Sequence, residues 1–349
     1  MRCPALTFFF ITLASVPLVG HLSGSRPTTS KTWSPPRTPD GHPDLQGTWT
    51  HGTLTPFERP VALGEKAFYN PQELAEVERQ TVARRAAART PTPGDVGTDN
   101  EAFVDSGYGF MPNGQTSLVV EPANGRIPFR EGVDAKRAFN LDSRDDYESM
   151  SPWDRCITRS PTLTFPVGYN NGIEIVQTPG YVAMHFEMIH EARVIPIAAS
   201  ARTSQSTPTG NSSPPRPSSS AAASVRSWTG VPRGYWDGDT LVVDSTGFRA
   251  GWISTHAGSG RLRGTPNSEA LHLVERLTLV DRDTIAYNVT IEDPEVFTQP
   301  WKAALLMHRS DDYLVYEYAC HEGNQAIELV LRGARAEEKA AATKVPPSR

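Results

Sequence analysis

Cysteine is scarce in this chain, and positive charge is neither abundant nor clustered. Only 3 of the 349 residues are cysteines, and 34 Lys and Arg residues stand against 39 Asp and Glu residues, for a formal net charge of −5. Phosphate groups are bound by clustered Lys and Arg, and the sequence has no such cluster. The composition therefore argues against nucleic acids and anionic membranes as partners, and it leaves a small-molecule ligand as the expected one.

The motifs of several enzyme classes are also missing. The sequence has no dinucleotide-binding fingerprint, no glycine-rich phosphate loop, no G-x-S-x-G nucleophile elbow and no helical H-E-x-x-H zinc motif. We therefore expect no cofactor. A divalent metal is the alternative, with His185, Glu187, His190 and His321 as ligands. Regular strand alternation disfavours it, because His185 and His190 would point to opposite faces.

The N-terminal apolar run has the form of a secretory signal. Arg2 gives a positive start, residues 5–19 are apolar but too short for a comfortable membrane span, and small residues follow. We expect residues 1–24 to be removed on export, which gives a periplasmic or secreted protein without a membrane span. Residues 25–43 are rich in Pro, Ser and Thr and are predicted to be an extended leader into the fold.

Residues 44–335 are predicted to form a single β-rich domain. Within it, residues 71–89 have the pattern of a surface helix, with Asn70 as its cap and Pro71 in its first turn. Residues 203–224 are rich in Ser and Pro and too poor in apolar side chains to offset the entropy of ordering, so we expect a disordered insert. The last residues, 336–349, are predicted to be a polar tail.

Alternating apolar and polar residues predict several short strands. The candidates are residues 117–120, 240–244, 271–280, 284–292, 303–307 and 313–320. Short Asp-containing turns link or precede some of them, which favours antiparallel neighbours. We predict an all-β protein, an antiparallel barrel or sandwich with one or two peripheral helices. The LQGTW sequence at residues 45–49 resembles the opening of lipocalin-like barrels.

Two cysteines, Cys156 and Cys320, remain after the signal is removed. An exported protein folds in an oxidising compartment, where a single pair can form only one intramolecular bridge. We therefore expect a Cys156–Cys320 disulfide, with two buried free thiols as the alternative.

Ionisable side chains interrupt the pattern of residues 169–197. Alternation over residues 181–195 places His190 in an apolar row and puts a second group on the polar face, namely His185, Glu187, Glu191 and Arg193. A histidine in an apolar row is either a satisfied core residue or a desolvated general base. The polar row is either a solvated face or part of a site.

Later strands repeat this feature. Glu275 lies in the row of Leu273 and Leu277, and a buried acid requires a partner, which we expect to be Arg or His from a neighbouring strand. Glu317 and His321 share one face of the predicted strand at residues 313–320 if its alternation continues to residue 321. Such a set is typical of a pocket inside a barrel, and a structural ion-pair network has the same pattern.

The longest motifs together resemble a family of exported, uncharacterised bacterial proteins. The motifs are PDGHPDLQGTW, EMIHEARVIP, WDGDTLVVD and EYACHEGN, within a match that covers most of residues 39–335. The resemblance implies functional positions at Glu187, His190, Arg193, His272, Glu275, Cys156, Cys320, His321 and Glu322. The chain departs from the family pattern after Pro196, where a Leu-Asp-Gly-Arg-Pro-His type of turn is expected.

Taken together, these observations predict an interior pocket that binds a small, largely apolar molecule. The predicted catalytic residues are His190, Glu275 and His321, and the predicted substrate-binding residues are Glu187, Arg193, His272, Glu317 and Glu322. Hydrolysis, lyase chemistry and isomerisation by proton transfer all fit this set. A non-catalytic periplasmic carrier and a structural envelope protein are the alternatives.

Overall fold

One antiparallel sheet, curved into a nearly closed barrel, dominates the fold. The computed structural model describes residues 33–88, 109–198, 225–255 and 257–344. The predicted signal, the first eight residues of the leader, the insert and the last five residues of the tail lie outside the described residues. The predicted all-β antiparallel architecture is confirmed, and the described residues contain three α-helices where one or two were expected. The lipocalin-like resemblance stays a prediction.

The described elements follow one another from an N-terminal strand to a C-terminal helix. The strands are β1 (Gly47–Thr50), β2 (Val119–Glu121), β3 (Gly172–Thr178), β4 (Tyr181–Phe186), β5 (Glu191–Pro196), β6 (Val231–Asp237), β7 (Thr240–Thr246), β8 (Gly251–Trp252), β9 (Pro266–Asn267), β10 (His272–Asp281), β11 (Thr284–Glu292) and β12 (Trp301–Arg309). The helices are α1 (Pro71–Ala88), α2 (Val133–Asp142) and α3 (Ala326–Lys344). Helix α3 thus continues into the predicted polar tail.

The strands of the main sheet are in the order β5-β4-β3-β1-β12-β11-β10-β7-β6, with β2 also paired to β12. The two ends of this order meet at a single parallel bridge between Ile197 and Gly234, where Ala198 N donates to Gly234 O at 2.8 Å. A Cβ at Gly234 would lie 2.4 Å from Ile197 Cδ1, so this close approach favours glycine. The bridge brings the sheet close to a closed barrel.

The barrel interior is filled by one face of each long strand. In β11 and β12 the inward residues are Ile285, Tyr287, Val289, Ile291, Trp301, Ala303, Leu305 and Met307. Complete burial of a side chain such as Leu or Ile contributes about 1.5–3 kcal/mol. The predicted row on β10 is confirmed, and Glu275 lies buried between Leu273 and Leu277.

Helix α1 confirms the predicted surface helix. Asn70 Oδ1 accepts a hydrogen bond from Glu73 N at 2.9 Å, and Glu73 Oε2 accepts one from Asn70 N at 2.9 Å. This reciprocal pair is a capping box, which satisfies two backbone donors that the first turn leaves free.

The predicted strand at residues 313–320 is wrong. Residues 313–319 have no regular secondary structure, residue 320 lies in a turn, and the segment pairs with no strand in the described part of the chain. No helix among the described residues combines the length and the apolarity needed to cross a membrane.

Candidate functional site

A tight turn between β4 and β5 places His190 on the surface. Residues Met188–His190 form a 3₁₀ turn in which Ile189 and His190 have φ values of 60° and 56°. The predicted apolar row is confirmed through Met188, but the position of His190 in it is wrong, because the turn ends the alternation and leaves His190 exposed. After the turn, Arg193 points into the barrel instead.

The turn is held by the first residue of β3 and by a segment that follows β12. Glu187 is buried; its backbone N donates to Gly172 O at 3.0 Å, and its carboxylate accepts the hydroxyl of Tyr313. We call residues 313–322, which Tyr313 begins, the strap. Farther along the strap, Tyr318 N donates to His190 Nδ1 at 3.5 Å. The strap is thereby fixed to the turn at two points.

The disulfide fixes the far end of the strap. Cys156 and Cys320 are bridged, with Cα atoms 5.7 Å apart, and the expected pairing is confirmed. The two residues are 164 positions apart in the chain, and closing so long a loop in the unfolded state is worth about 5 kcal/mol in the chain-entropy model. Asn324 Nδ2 donates a hydrogen bond to Cys156 Sγ at 3.1 Å.

A cleft of about 290 Å³ lies where the turn, the strap and the disulfide meet. Its lining combines imidazoles, carboxylates and apolar groups, namely Cys156, Ile189, His190, Glu317, Tyr318, Ala319, Cys320, His321 and Glu322. A second cavity of about 420 Å³ shares residues 317–320 and adds Trp153, Asp154, Asn324 and Ala326. Four predicted site residues, His190, Glu317, His321 and Glu322, are therefore brought together in one cleft.

The side chains of the cleft are suited to proton transfer. His190 and His321 each bring an imidazole, a group that can accept or donate a proton, and Glu317 and Glu322 can accept hydrogen bonds or neutralise a cation. The His190 ring also contacts the His185 ring edge to face, with centroids 4.6 Å apart. This arrangement can orient a ligand with one polar group and exchange a proton with it.

Backbone strain is concentrated at the same place. Four non-glycine residues in the described part of the chain have positive φ, and three of them line the cleft: Cys156, Ile189 and His190. Positive φ is a marked outlier for a β-branched residue such as Ile189. Such conformations cost about 1–3 kcal/mol each and persist at binding and catalytic sites, where the surrounding structure enforces them.

Two other predicted site residues form an ion pair in the sealed interior. Arg193 Nη2 lies 2.6 Å from Glu275 Oε2, and both side chains are 4% exposed. Tyr287 Oη donates to Glu275 Oε1 at 2.9 Å, and Arg193 Nη2 donates to Ser245 Oγ at 2.6 Å. Burial and the Glu275 carboxylate raise the pKa of Tyr287 well above its usual range, so the phenol stays a donor. Glu275 is thus paired with Arg193 and Tyr287.

Sequence reasoning missed the buried residues near Glu191, the first residue of β5. Burial raises the pKa of Glu191, whose carboxylate oxygens accept hydrogen bonds from Thr158 Oγ1 at 2.8 and 3.0 Å. Burial lowers the pKa of Arg159 to about 10, and burial together with Arg159 lowers that of His51 to about 3. Arg159 and His51 lie outside any alternating pattern, so no sequence signal marked them.

His272 lies apart from both groups. Its Nε2 is 3.1 Å from Asp244 Oδ1 and its Nδ1 is 3.6 Å from Glu292 Oε2, on the strands that flank β10. The hydrogen bond to Asp244 raises the pKa of His272. The structure therefore gives this predicted substrate-binding residue a place among surface ion pairs.

A metal site requires three or more ligand side chains that converge on one point. Within the described ranges, no three His, Cys, Asp or Glu side chains converge in a way that would hold a metal ion. Of the four ligands in the metal alternative, Glu187 is engaged with Tyr313 and His185 lies 3.7 Å from Glu174 Oε2.

Comparisons of the chain with family models, curated proteins and solved structures give no match. The resemblance to the exported bacterial family therefore stays a prediction.

Proposed function

We propose that this protein is exported and binds a small, largely apolar molecule in the cleft beneath the strap, where His190 and His321 exchange a proton with it. The observation that carries the proposal is the coincidence of three strained backbone positions with two imidazoles and two carboxylates in one cleft. Ile189, Ala319 and the disulfide offer apolar contact to the ligand, and Glu317 and Glu322 offer polar contact.

The proposal places the ligand at the cleft and not inside the barrel. The inward face of the sheet is occupied by core side chains and by the Arg193–Glu275 pair, which satisfies its own charge. A buried carboxylate that already holds an arginine and a tyrosine is a poor acid or base, since protonation would leave the arginine unpaired. His190 and His321 are exposed, and neither forms an ion pair with another described residue.

The reaction class follows from the side chains. Two imidazoles that act as general base and general acid support hydrolysis, elimination or isomerisation of a substrate with one polar group. Glu187 acts as a positioning residue, because its bond to Tyr313 holds the strap against the turn.

Native mass spectrometry of the protein recovered from the periplasm of an expressing bacterium tests this assignment. We expect a retained small molecule on the wild-type protein and its loss from the double variant His190→Ala/His321→Ala. The matched control is His308→Ala, which removes a half-buried histidine on the outer face of β12. Equal occupancy in all three proteins, or loss from the control alone, would refute the cleft as the ligand site.

Turnover separates an enzyme from a carrier. Once the retained molecule is identified, His190→Ala alone should abolish its conversion while leaving measurable binding. A change in affinity with no conversion by the wild-type protein would identify a carrier.

A further inference from the structure

The Cys156–Cys320 disulfide is a wall of the cleft and is not buried in the core. Cys156 is 8% exposed, whereas Cys320 is half-buried and lines both cavities. A thiol–disulfide exchange begins with attack of a thiolate on an accessible sulfur, along the line of the S–S bond. The two sulfurs therefore differ in access, and Cys320 is the one that a molecule in either cavity can reach.

The hydrogen bonding around Cys156 suits this cysteine to be the leaving group of the exchange. Asn324 Nδ2 donates to Cys156 Sγ at 3.1 Å. The Asn324 amide is held in place, since its Oδ1 accepts from Ala326 N at 3.0 Å and its Nδ2 also reaches Asp154 O at 3.2 Å. A fixed donor stabilises negative charge on the sulfur that it faces, which makes Cys156 the better leaving group.

The backbone at Cys156 supplies a third, independent observation. Its φ of 54° is strained for a residue with a side chain, and the disulfide ties this residue to the strap. Cleavage of the bond leaves Cys156 free to relax. Strain thus favours opening of the bond, and access and leaving-group stabilisation favour attack at Cys320.

We infer that this disulfide is a directional exchange site for a small thiol of the glutathione type. The thiolate attacks Cys320 Sγ, a new S–S bond forms there, and the old bond breaks with its electron pair left on Cys156 Sγ beside Asn324. A second thiolate then attacks the thiol-derived sulfur of the mixed disulfide and releases Cys320 as a thiolate. Two thiols are oxidised to one disulfide, and the protein gains two electrons.

Exchange would also free the far end of the strap. The bridge ties Cys320 to Cys156, and residues 319–322 form one side of the cleft. Loss of ligand affinity on exchange rests on the proposed function, but the exchange itself does not, because its product is read from the protein.

The test is incubation of the folded, full-length mature protein with reduced glutathione, followed by acid quenching, alkylation and peptide mapping. We expect glutathione on Cys320 and the alkylating reagent on Cys156. Asn324→Ala should slow the first step about fivefold, the equivalent of one ordinary hydrogen bond. Asn288→Ala, an exposed asparagine on the outer face of β11, should leave the rate unchanged.

Three outcomes would overturn the inference. One is glutathione found on Cys156, another is an equal rate in the wild-type protein and Asn324→Ala, and the third is a rate that rises with urea as steeply as global unfolding does. The third outcome means that the bond reacts only after the protein unfolds. Retention of a ligand by the exchanged protein would contradict the role of the strap and leave the exchange chemistry standing.

Discussion

The barrel interior and the cleft contain the same kinds of ionisable side chain in opposite surroundings. In the interior, Arg193, Glu275 and Tyr287 are buried and contact one another. In the cleft, His190 and His321 are exposed, and the backbone of His190 is strained. We therefore expect an ionisable residue of this protein to belong to the scaffold when it is buried and paired, and to the proposed site when it lines the open cleft.

The largest effect is expected from breaking the interior pair on one side only. Arg193→Met leaves the Glu275 carboxylate buried without a countercharge, which should lower the free energy of unfolding by about 3–5 kcal/mol. Urea unfolding measures this decrease in the free energy of unfolding. The double variant Arg193→Met/Glu275→Leu should recover much of that loss, because no charge then remains buried. A cost below about 1 kcal/mol for the single variant would contradict a structural role for the pair.

The buried His51 should make the stability of the protein depend on pH, which the exposed groups of the cleft should not do. His51 titrates at its ordinary 6.5 when unfolded and at about 3 when folded, so the unfolded state binds the proton first. Stability should therefore fall as the pH drops from 6.5 towards 3, by about 1.4 kcal/mol per pH unit. Urea unfolding over this range should show a shallower slope for His51→Gln. An unchanged slope would show that His51 is not the group responsible.

Removing a contact of the strap should lower the free energy of unfolding moderately and should increase the mobility of the residues that line the cleft. Tyr313→Phe removes the hydroxyl that Glu187 accepts and leaves a buried carboxylate with one donor fewer, which should cost about 1–3 kcal/mol. Hydrogen exchange should rise in residues 313–322 and remain unchanged in β10 and β11. If residues 313–322 exchange at the same rate in Tyr313→Phe and in the wild-type protein, the Tyr313 hydroxyl does not hold the strap. Tyr316→Phe, at an exposed tyrosine of the strap, is the matched control.

The smallest effect is expected at His272. Its folded pKa is raised above 6.5 by Asp244, so its contribution to stability is complete below pH 6.5 and is lost as the pH rises through the folded value. His272→Gln should remove this dependence at a cost below about 1 kcal/mol, as for other surface pairs. Thermal unfolding across that range measures it. Ligand occupancy of His272→Gln should equal that of the wild-type protein. A loss of ligand would show that His272 takes part in ligand binding.

Strand periodicity predicted the regular part of the fold because each long strand buries one face. The predicted strand at residues 284–292 coincides with β11, and the prediction for β10 differs by one residue at each end. The same periodicity failed at residues 187–190, which contain no Gly, Pro, Asn or Asp to indicate a turn. Ile189 adopts positive φ there because Glu187 is held by Gly172 and Tyr313, contacts that are distant in sequence.

The partner of Glu275 illustrates a second limit of sequence reasoning. A buried acid on β10 did indicate a basic partner, and an arginine is present. The neighbouring strand was the expected source, but β10 lies between β11 and β7, whereas Arg193 belongs to β5. The pair therefore spans the interior of the barrel. Alternation reports which face a residue occupies, and closure of the sheet decides what it meets there.

The pairing of β1 with β12 has a consequence for folding during synthesis. Strand β1 pairs with β3 on one side, but on its other side Trp49 lies opposite Arg309, so this second partner is made only after residues 301–309 have been synthesised. Contacts between such distant parts of a chain form late, because a very long loop must close first. The nascent chain therefore cannot complete its sheet on the ribosome before residue 309 has emerged.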